Sequence, residues 1–329
     1  MPRLVVSLSP LPSAFISSLL APYADKVGGI EVVSVLEASE EEIREALRRA
    51  DAVIGDYTFH FKITREICDL MENVKVIAQP STGYDHIDIE ACREKGIPVT
   101  NAGGANSISV AEWTIMAALI LLKRALEAHL RTKRGEWPQW ELMDKGTYDL
   151  YGKTWGIIGL GRIGREVAKR LKCFGVKTLY YDKYRPPKEV EEELGVEYAS
   201  LPKLLRNSDI VSLHVPLTPE TEKMIGEREL RLMKPTAILI NPSRGRLVDE
   251  EALARALEEG WIMGAAVDVY SIEPPGKDHP LVKLEHPNLL LTPHIAGANS
   301  DARARIIQVT IENIVRALTG QPLKYVVNM

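Results

Sequence analysis

At 329 residues the chain exceeds the usual single-domain size and is read as two domains. With 45% hydrophobic and 26% charged residues it has the composition of an ordinary globular protein, which excludes a disordered or fibrous one. A net charge of -4 gives no general attraction to nucleic acid or to an anionic membrane, so neither is expected as a partner.

The three cysteines, Cys68, Cys92 and Cys173, show no CxxC spacing and read as free thiols of a reducing compartment, with no metal site implied. The opening MPRLVVSLSP holds too short an apolar run for a signal peptide, and the longest uninterrupted run, residues 115–122, is too short to span a bilayer. A cytoplasmic location is therefore expected.

The first hundred residues alternate β-like runs (LVVSL 4–8, EVVSVL 31–36, DAVIG 51–55, VKVIA 74–78) with helical patterns such as SEEEIREALRRA. That alternation predicts a parallel sheet with crossover helices. A long helix follows, with Ser109 and Glu112 at the spacing of a capping box, and its residues 115–122 are apolar all round. Such a helix is expected to be buried between domains and against a second subunit.

After a looser stretch at 135–153, a second alternating series reads TWGIIGL, KTLYYD, DIVSLHV, AILIN, GAAVDVY and NLLLTP. The prediction is an α/β protein of two Rossmann-like or flavodoxin-like domains with parallel sheets. The run KEVEEELG at 188–195 reads as a solvated helix face. The tail, beginning NSDARARIIQV, is an amphipathic helix with apolar Ile306, Ile307, Val309, Ile311, Ile314, Val315 and Leu318, so it must dock on a domain.

Gly159, Gly161 and Gly164 have GxGxxG spacing, follow the strand TWGII, open a helix and precede Asp182 at the end of the next strand. In that context Gly159 permits a tight turn, Gly161 lets the backbone approach a pyrophosphate, and Gly164 allows close helix packing. The helix N-terminus at Arg162 and Ile163 favours the phosphates, and Asp182 the adenosine ribose, which predicts NAD rather than NADP. Lys183 and Arg185 nearby soften the rejection of a 2'-phosphate.

Ligands of open parallel sheets lie beyond the carboxyl ends of the strands. There ILIN leads to Arg244, GAAVDVY to Glu273, and NLLLTP to His294. Singly, Arg244 fits a turn residue, Glu273 a solvated acid and His294 a hydrogen-bonded core histidine. Together an arginine fork for a carboxylate, a histidine for proton exchange and an acid to orient it fit hydride transfer at a 2-oxo acid. Asp268 ends a strand at the same edge, as a holder of the nicotinamide amide or a turn former. His214 and Pro216 read as lining the cofactor cleft, with Thr221 of the same VPLTPET run.

The pieces STGYDHID, NAGGANSISVAEW, GKTWGIIGLGRIGREVAKRLKCFGVKTLYYD, VSLHVPLTPET, LINPSRGRLVDEEAL, AAVDVYSIEPP and NLLLTPHIAG span nearly the whole chain. In that order they resemble the D-isomer-specific 2-hydroxyacid dehydrogenases of glyoxylate/hydroxypyruvate reductase type. The resemblance implies a split substrate domain (1–101 plus 297–329), an NAD domain (102–296) with a dimerisation helix, an active site in the interdomain cleft closed by hinge motion, and a homodimer. It implies Arg244 as the group binding the substrate carboxylate and carbonyl, His294 as acid/base with Glu273 as its partner, and Asp268 on the nicotinamide amide. It also implies the loop carrying Ser81, Thr82 and Gly83 as a substrate-carboxylate site.

Gln79 stands where many 3-phosphoglycerate dehydrogenases have arginine, and no regulatory domain is recognised, so a small uncharged tail as in glyoxylate, hydroxypyruvate or pyruvate is expected. Thr82 departs from the lysine of phosphite dehydrogenase, and Glu273 from the glutamine of formate dehydrogenase. An NAD(H)-sensing corepressor is the alternative outside enzymes.

Overall fold

The computed structural model describes residues 2–329, and the chain divides into two compact units: one runs to Asn106 and includes Ser300–Met329, the other is Ser107–Asn299. In the first unit short apolar runs form β1 (Arg3–Ser7), β2 (Ile30–Ser34), β3 (Ala52–Ile54), β4 (Ile77–Ala78) and β5 (Val99–Thr100), all parallel in the order β2-β1-β3-β4-β5. Both faces of this sheet are covered, so its strands are apolar on both sides. The helix Glu40–Arg49 is closed at its start by a capping box between Ser39 and Glu42.

The helix Ser300–Leu318 docks on this sheet, with Ile311, Ile314 and Leu318 packed among Val5, Ile54, Val76 and Ala78. The last residues cover the free edge: the Val327 amide donates to the Val99 carbonyl at 2.9 Å, and Asn328 Oδ1 accepts the Val99 amide at 2.8 Å. Two strand expectations change here. The run VKVIA contributes only Ile77–Ala78 to the ladder, and β5, two residues long, has no pattern that marks it in advance.

The second unit holds β6 (Thr154–Ile158), β7 (Lys177–Tyr181), β8 (Val196–Tyr198), β9 (Ile210–Leu213), β10 (Ile238–Asn241), β11 (Gly264–Val267) and β12 (Leu289–Leu291). They form one parallel sheet in the order β12-β11-β10-β9-β6-β7-β8. Chain order reverses between β6 and β9, which makes the carboxyl ends of those strands the expected binding crevice.

The unit boundaries fall at 106/107 and 299/300 rather than at 101/102 and 296/297. Residues 101–106 are tied to the first unit, the Ala102 amide donating to the Ser81 carbonyl at 2.9 Å and Thr82 Oγ1 to Asn106 Oδ1 at 2.8 Å. Residues up to 299 stay with the second because Asp268 holds Ile295 and Ala296.

The long apolar helix begins at Ser107, so Ser109 lies inside its first turn and the expected capping box does not form; Glu112 instead reaches Arg170 at 3.5 Å. Its burial is accounted for within its own unit, where Ala118, Leu121 and Leu122 pack among Val167, Leu171, Ile238 and Ala266. The stretch expected to be loose contains the helix Gln139–Asp144. Glu191, expected in solvent, turns inward to accept from the Tyr180 hydroxyl and pair with Arg185. Among the described residues no helix is long and apolar enough to cross a membrane.

Candidate active site

The glycine motif sits at the switch point. Gly159 has φ +99°, and a Cβ there would meet the His214 carbonyl carbon at 2.7 Å, so the turn requires glycine. At Gly164 a Cβ would overlap the Gly159 carbonyl, which explains the close packing of this helix on its strand. Gly161, the N-cap of the helix Arg162–Leu171, meets nothing within 4 Å. That open space lies against the first turn of the helix at Arg162 and Ile163, where the positive end of the macrodipole favours an anion.

Asp182 follows β7. Its Oδ2 accepts the Leu160 amide at 2.7 Å and its Oδ1 the Tyr184 amide at 2.9 Å, which orients the carboxylate beside the glycine turn with lone pairs left for ribose hydroxyls. His214, at the end of β9, bonds Ser212 Oγ through Nε2 at 3.0 Å, while its buried Nδ1 has no partner among the described residues. Burial pushes its imidazole down to about 3, so it is neutral at ordinary pH. Thr221 donates to the Pro216 carbonyl at 2.8 Å and accepts the Thr218 amide at 2.8 Å, closing the loop after His214. An open helix N-terminus, a glycine turn that no side chain can enter and an orphaned buried nitrogen fit a bound dinucleotide.

At the carboxyl ends of β10, β11 and β12 the three polar residues named from the sequence gather. His294 Nδ1 lies 2.7 Å from Glu273 Oε2, and both side chains are about one-third exposed (38% and 35%), reachable by a ligand. His294 adopts φ +55°, a conformation uncommon outside glycine, and its amide is held by the Asp268 carbonyl at 2.7 Å. Burial raises the Glu273 carboxyl, but the bonds from His294 and the Tyr270 amide and the charges of His294 and Arg244 outweigh it, holding it below the usual carboxylate range.

Arg244 leads out of the turn after β10, which is stiffened by Asn241 Nδ2 donating to the Arg244 carbonyl at 2.8 Å and Ser243 Oγ to the Val215 carbonyl at 2.7 Å. Asp268 is fully buried. Its carboxylate accepts Thr292 Oγ1 at 2.5 Å, the Ile295 amide at 2.9 Å and the Ala296 amide at 2.8 Å, so it fixes the segment carrying His294. Burial raises its pKa, with those three bonds opposing. Thr292 and Tyr270 thus shape the site although sequence reading passed over both; each acts on a partner 22 to 24 residues away, beyond the reach of any local motif.

In the first unit the loop after β4 carries Ser81, Thr82 and Gly83. Ser81 Oγ donates to the Gly83 carbonyl at 2.6 Å and accepts Gln79 Nε2 at 2.8 Å. Among the described residues the amides of Thr82 and Gly83 have no acceptor. Gln79 is buried and points to the Asp56 carbonyl as well, so its role here is to hold the loop.

A doubly wound sheet with this glycine turn, and a histidine, a glutamate and an arginine beyond neighbouring strand ends, defines a nicotinamide-dependent oxidoreductase. Residues 115–296 match the family model for the NAD binding domain of D-isomer specific 2-hydroxyacid dehydrogenases. The chain is 44% identical over 284 residues to a glyoxylate reductase of Korarchaeum cryptofilum, covering 86% of this chain and 84% of that one. It is 43% identical over 306 residues to a D-3-phosphoglycerate dehydrogenase of Methanocaldococcus jannaschii, covering 93% of this chain but 56% of the relative.

The NAD-dependent formate dehydrogenase of Staphylococcus aureus, solved with NAD, superposes with a TM-score of 0.82 at 29% identity, covering 99% of each chain. The chain belongs to the D-isomer specific 2-hydroxyacid dehydrogenase family, and is an enzyme of that family using NAD.

Proposed function

We propose that the protein interconverts a small 2-oxo acid of the glyoxylate, hydroxypyruvate or pyruvate type and its D-2-hydroxy acid, with His294 as the general acid/base. The observation that carries this reading is the 2.7 Å Glu273–His294 pair beside Arg244 at one sheet edge. Arg244 receives the carboxylate and carbonyl of the substrate through its planar fork. His294 gives its proton to the carbonyl oxygen in reduction and takes it back in oxidation, while Glu273 fixes the ring through Nδ1. Arg244 and the protonated ring stabilise the developing alkoxide. When bound, the nicotinamide would supply or accept the hydride; Gly159 to Gly164, Asp182, His214, Pro216 and Thr221 would hold the dinucleotide, while Asp268, fully buried with its carboxylate engaged, would act through the segment it fixes rather than on the nicotinamide amide.

Ser81 and the amides of Thr82 and Gly83 are assigned to the substrate carboxylate, a role their unengaged N–H groups support. The neutral Gln79 in the same loop, with no cation of its own to offer a phosphate, favours an uncharged tail. The relatives include both glyoxylate reductases and a 3-phosphoglycerate dehydrogenase, so the substrate is the point to test.

A homodimer is proposed as well. It is supported by the exposed apolar side chains Met116, Leu130, Trp137, Trp140 and Met143, with Trp137 at 81% and Trp140 at 67%, large rings that an interface would cover. Loss of NADH absorbance with glyoxylate, hydroxypyruvate, pyruvate, bulkier 2-oxo acids and 3-phosphohydroxypyruvate tests the reading. Turnover of a small acid is expected. Preference for the phosphorylated acid would move the assignment to 3-phosphoglycerate oxidation, and silence across the panel with NADH bound would favour phosphite or formate oxidation or a corepressor.

A further inference from the structure

Glu273 stands on a segment, residues 271–280, that is mostly exposed. A carboxylate on an untethered surface loop samples many positions, whereas proton transfer tolerates displacements well under 1 Å. The tether is Tyr270 together with the peptide that follows it. The Tyr270 amide donates to Glu273 Oε1 at 3.0 Å, and the Tyr270 hydroxyl donates to the carbonyl of Thr292 at 3.1 Å, on the segment that carries His294. Gly245, the residue after Arg244, packs on the same peptide so closely that a Cβ would overlap the Tyr270 carbonyl and the Ser271 nitrogen. All three proposed catalytic residues are therefore tied to Tyr270, through its amide, its hydroxyl and the peptide that follows it.

Ser271 and the Tyr270 ring are held in turn by a second carboxylate and histidine. Glu250, in the first turn of the helix Glu250–Glu258, accepts the Ser271 amide at 2.9 Å and the Ser271 hydroxyl at 2.5 Å. The same carboxylate faces His279 Nε2 at 3.1 Å, off the N–H axis, so the contact is electrostatic rather than an aligned hydrogen bond. His279 Nδ1 accepts the Leu281 amide at 3.3 Å, which puts the ring proton on Nε2, the nitrogen nearer Glu250. The Glu250 and His279 side chains are only 11% and 8% exposed, and the His279 ring meets the Tyr270 ring edge-on at 5.5 Å and 88°. The charged groups around Tyr270 are Asp268, Glu273 and Glu250; burial first and then these three push its hydroxyl up to about 12, so it remains a donor.

We propose that Glu250 and His279 are positioning residues for the reaction: Glu250 holds Ser271 at one end of the 271–280 segment, His279 at the other end packs on Glu250 and the Tyr270 ring, and together they fix Tyr270, and so Glu273, against His294. The inference rests on the assignment of Glu273 and His294 given above. Neither Glu250 nor His279 is among the residues assigned above to the substrate or to the dinucleotide. The expected signature is a loss in kcat together with a changed pH profile, at nearly constant affinity for NADH.

The test is steady-state kinetics from pH 5 to 10 on Glu250→Ala, Glu250→Gln and His279→Gln, with NADH affinity and melting temperature measured on each. Glu250→Ala is expected to lower kcat roughly 10- to 10²-fold and displace the pH profile of kcat/KM. Glu250→Gln, which keeps an acceptor for Ser271, should recover part of that loss. A fall in melting temperature with kcat and pH profile unchanged would overturn the proposal, since a purely structural carboxylate would act in that way.

If Glu250→Ala fails to fold, His279→Gln carries the same test. If the wild-type protein turns over no 2-oxo acid, the functional reading fails separately. The clamp is then read from the pH titration of the His294 imidazole by NMR, assigned with His294→Asn: a titration altered by His279→Gln supports it, and an unaltered one overturns it.

Discussion

Two histidines end strands of the same sheet and meet opposite fates. His214 follows β9 at the dinucleotide crevice, held by Ser212 and pushed by burial to a pKa of about 3, with no carboxylate beside it. His294 follows β12, remains partly exposed, and is gripped by Glu273 at 2.7 Å. The same imidazole thus stands as a buried neutral ring in one place and, beside an acid, as the proposed proton carrier in the other. Burial and the neighbouring acid decide which, and strand-end position alone does not.

Removing the ring at the acidic site should have the largest effect. His294→Ala is expected to lower kcat/KM for the 2-oxo acid by roughly 10²- to 10⁴-fold while NADH still binds; stopped-flow hydride transfer alongside fluorescence titration of NADH checks it. A rate close to wild type would dissolve the contrast between the two histidines. Arg244→Lys replaces a fork by a point charge and should cost on the order of 10²-fold, mostly in KM, measured by substrate saturation.

Glu273→Gln keeps an acceptor near His294 but removes the charge, and should lower kcat by about tenfold. The same variant carries a stability signature. The Glu273 carboxyl is held below its unfolded value, so its contribution is present above that value and lost as pH falls through the lowered one. Urea titrations between pH 5 and 2 should therefore show a shallower acid slope for Glu273→Gln than for wild type.

The smallest kinetic effect is expected at the other histidine. His214→Gln should raise the KM for NADH a few-fold and change kcat by less than about tenfold, since this ring carries no proton in the reaction. Its signature lies in stability. A neutral buried imidazole stabilises the fold above its unfolded pKa of about 6.5, and that contribution is lost as pH falls from there towards 3. Thermal unfolding followed from pH 8 to 4 should decline less steeply for the variant, and equal slopes would contradict the buried neutral state.

The glycine turn, Asp182 and the three strand-end residues were legible because each is announced locally, by spacing or by a place just past an apolar run. The capping box at Ser109 failed because the helix starts at Ser107, and Glu112 found Arg170 instead. The glutamate run hid the inward turn of Glu191, since a pattern of charges does not reveal which one meets a buried tyrosine hydroxyl. β5 was passed over because two residues are too few to show a period.

By itself the sequence determined the alternation of strands and helices and the glycine turn, and singled out the side chains proposed for catalysis, because these depend on residue type at short spacing. The tertiary structure alone decided that Glu273 meets His294, that Asp268 holds the segment between Thr292 and Ala296, and that Tyr270, Glu250 and His279 brace the loop between them. Those contacts join residues far apart along the chain, and only the register of parallel strands sets which strand ends stand side by side.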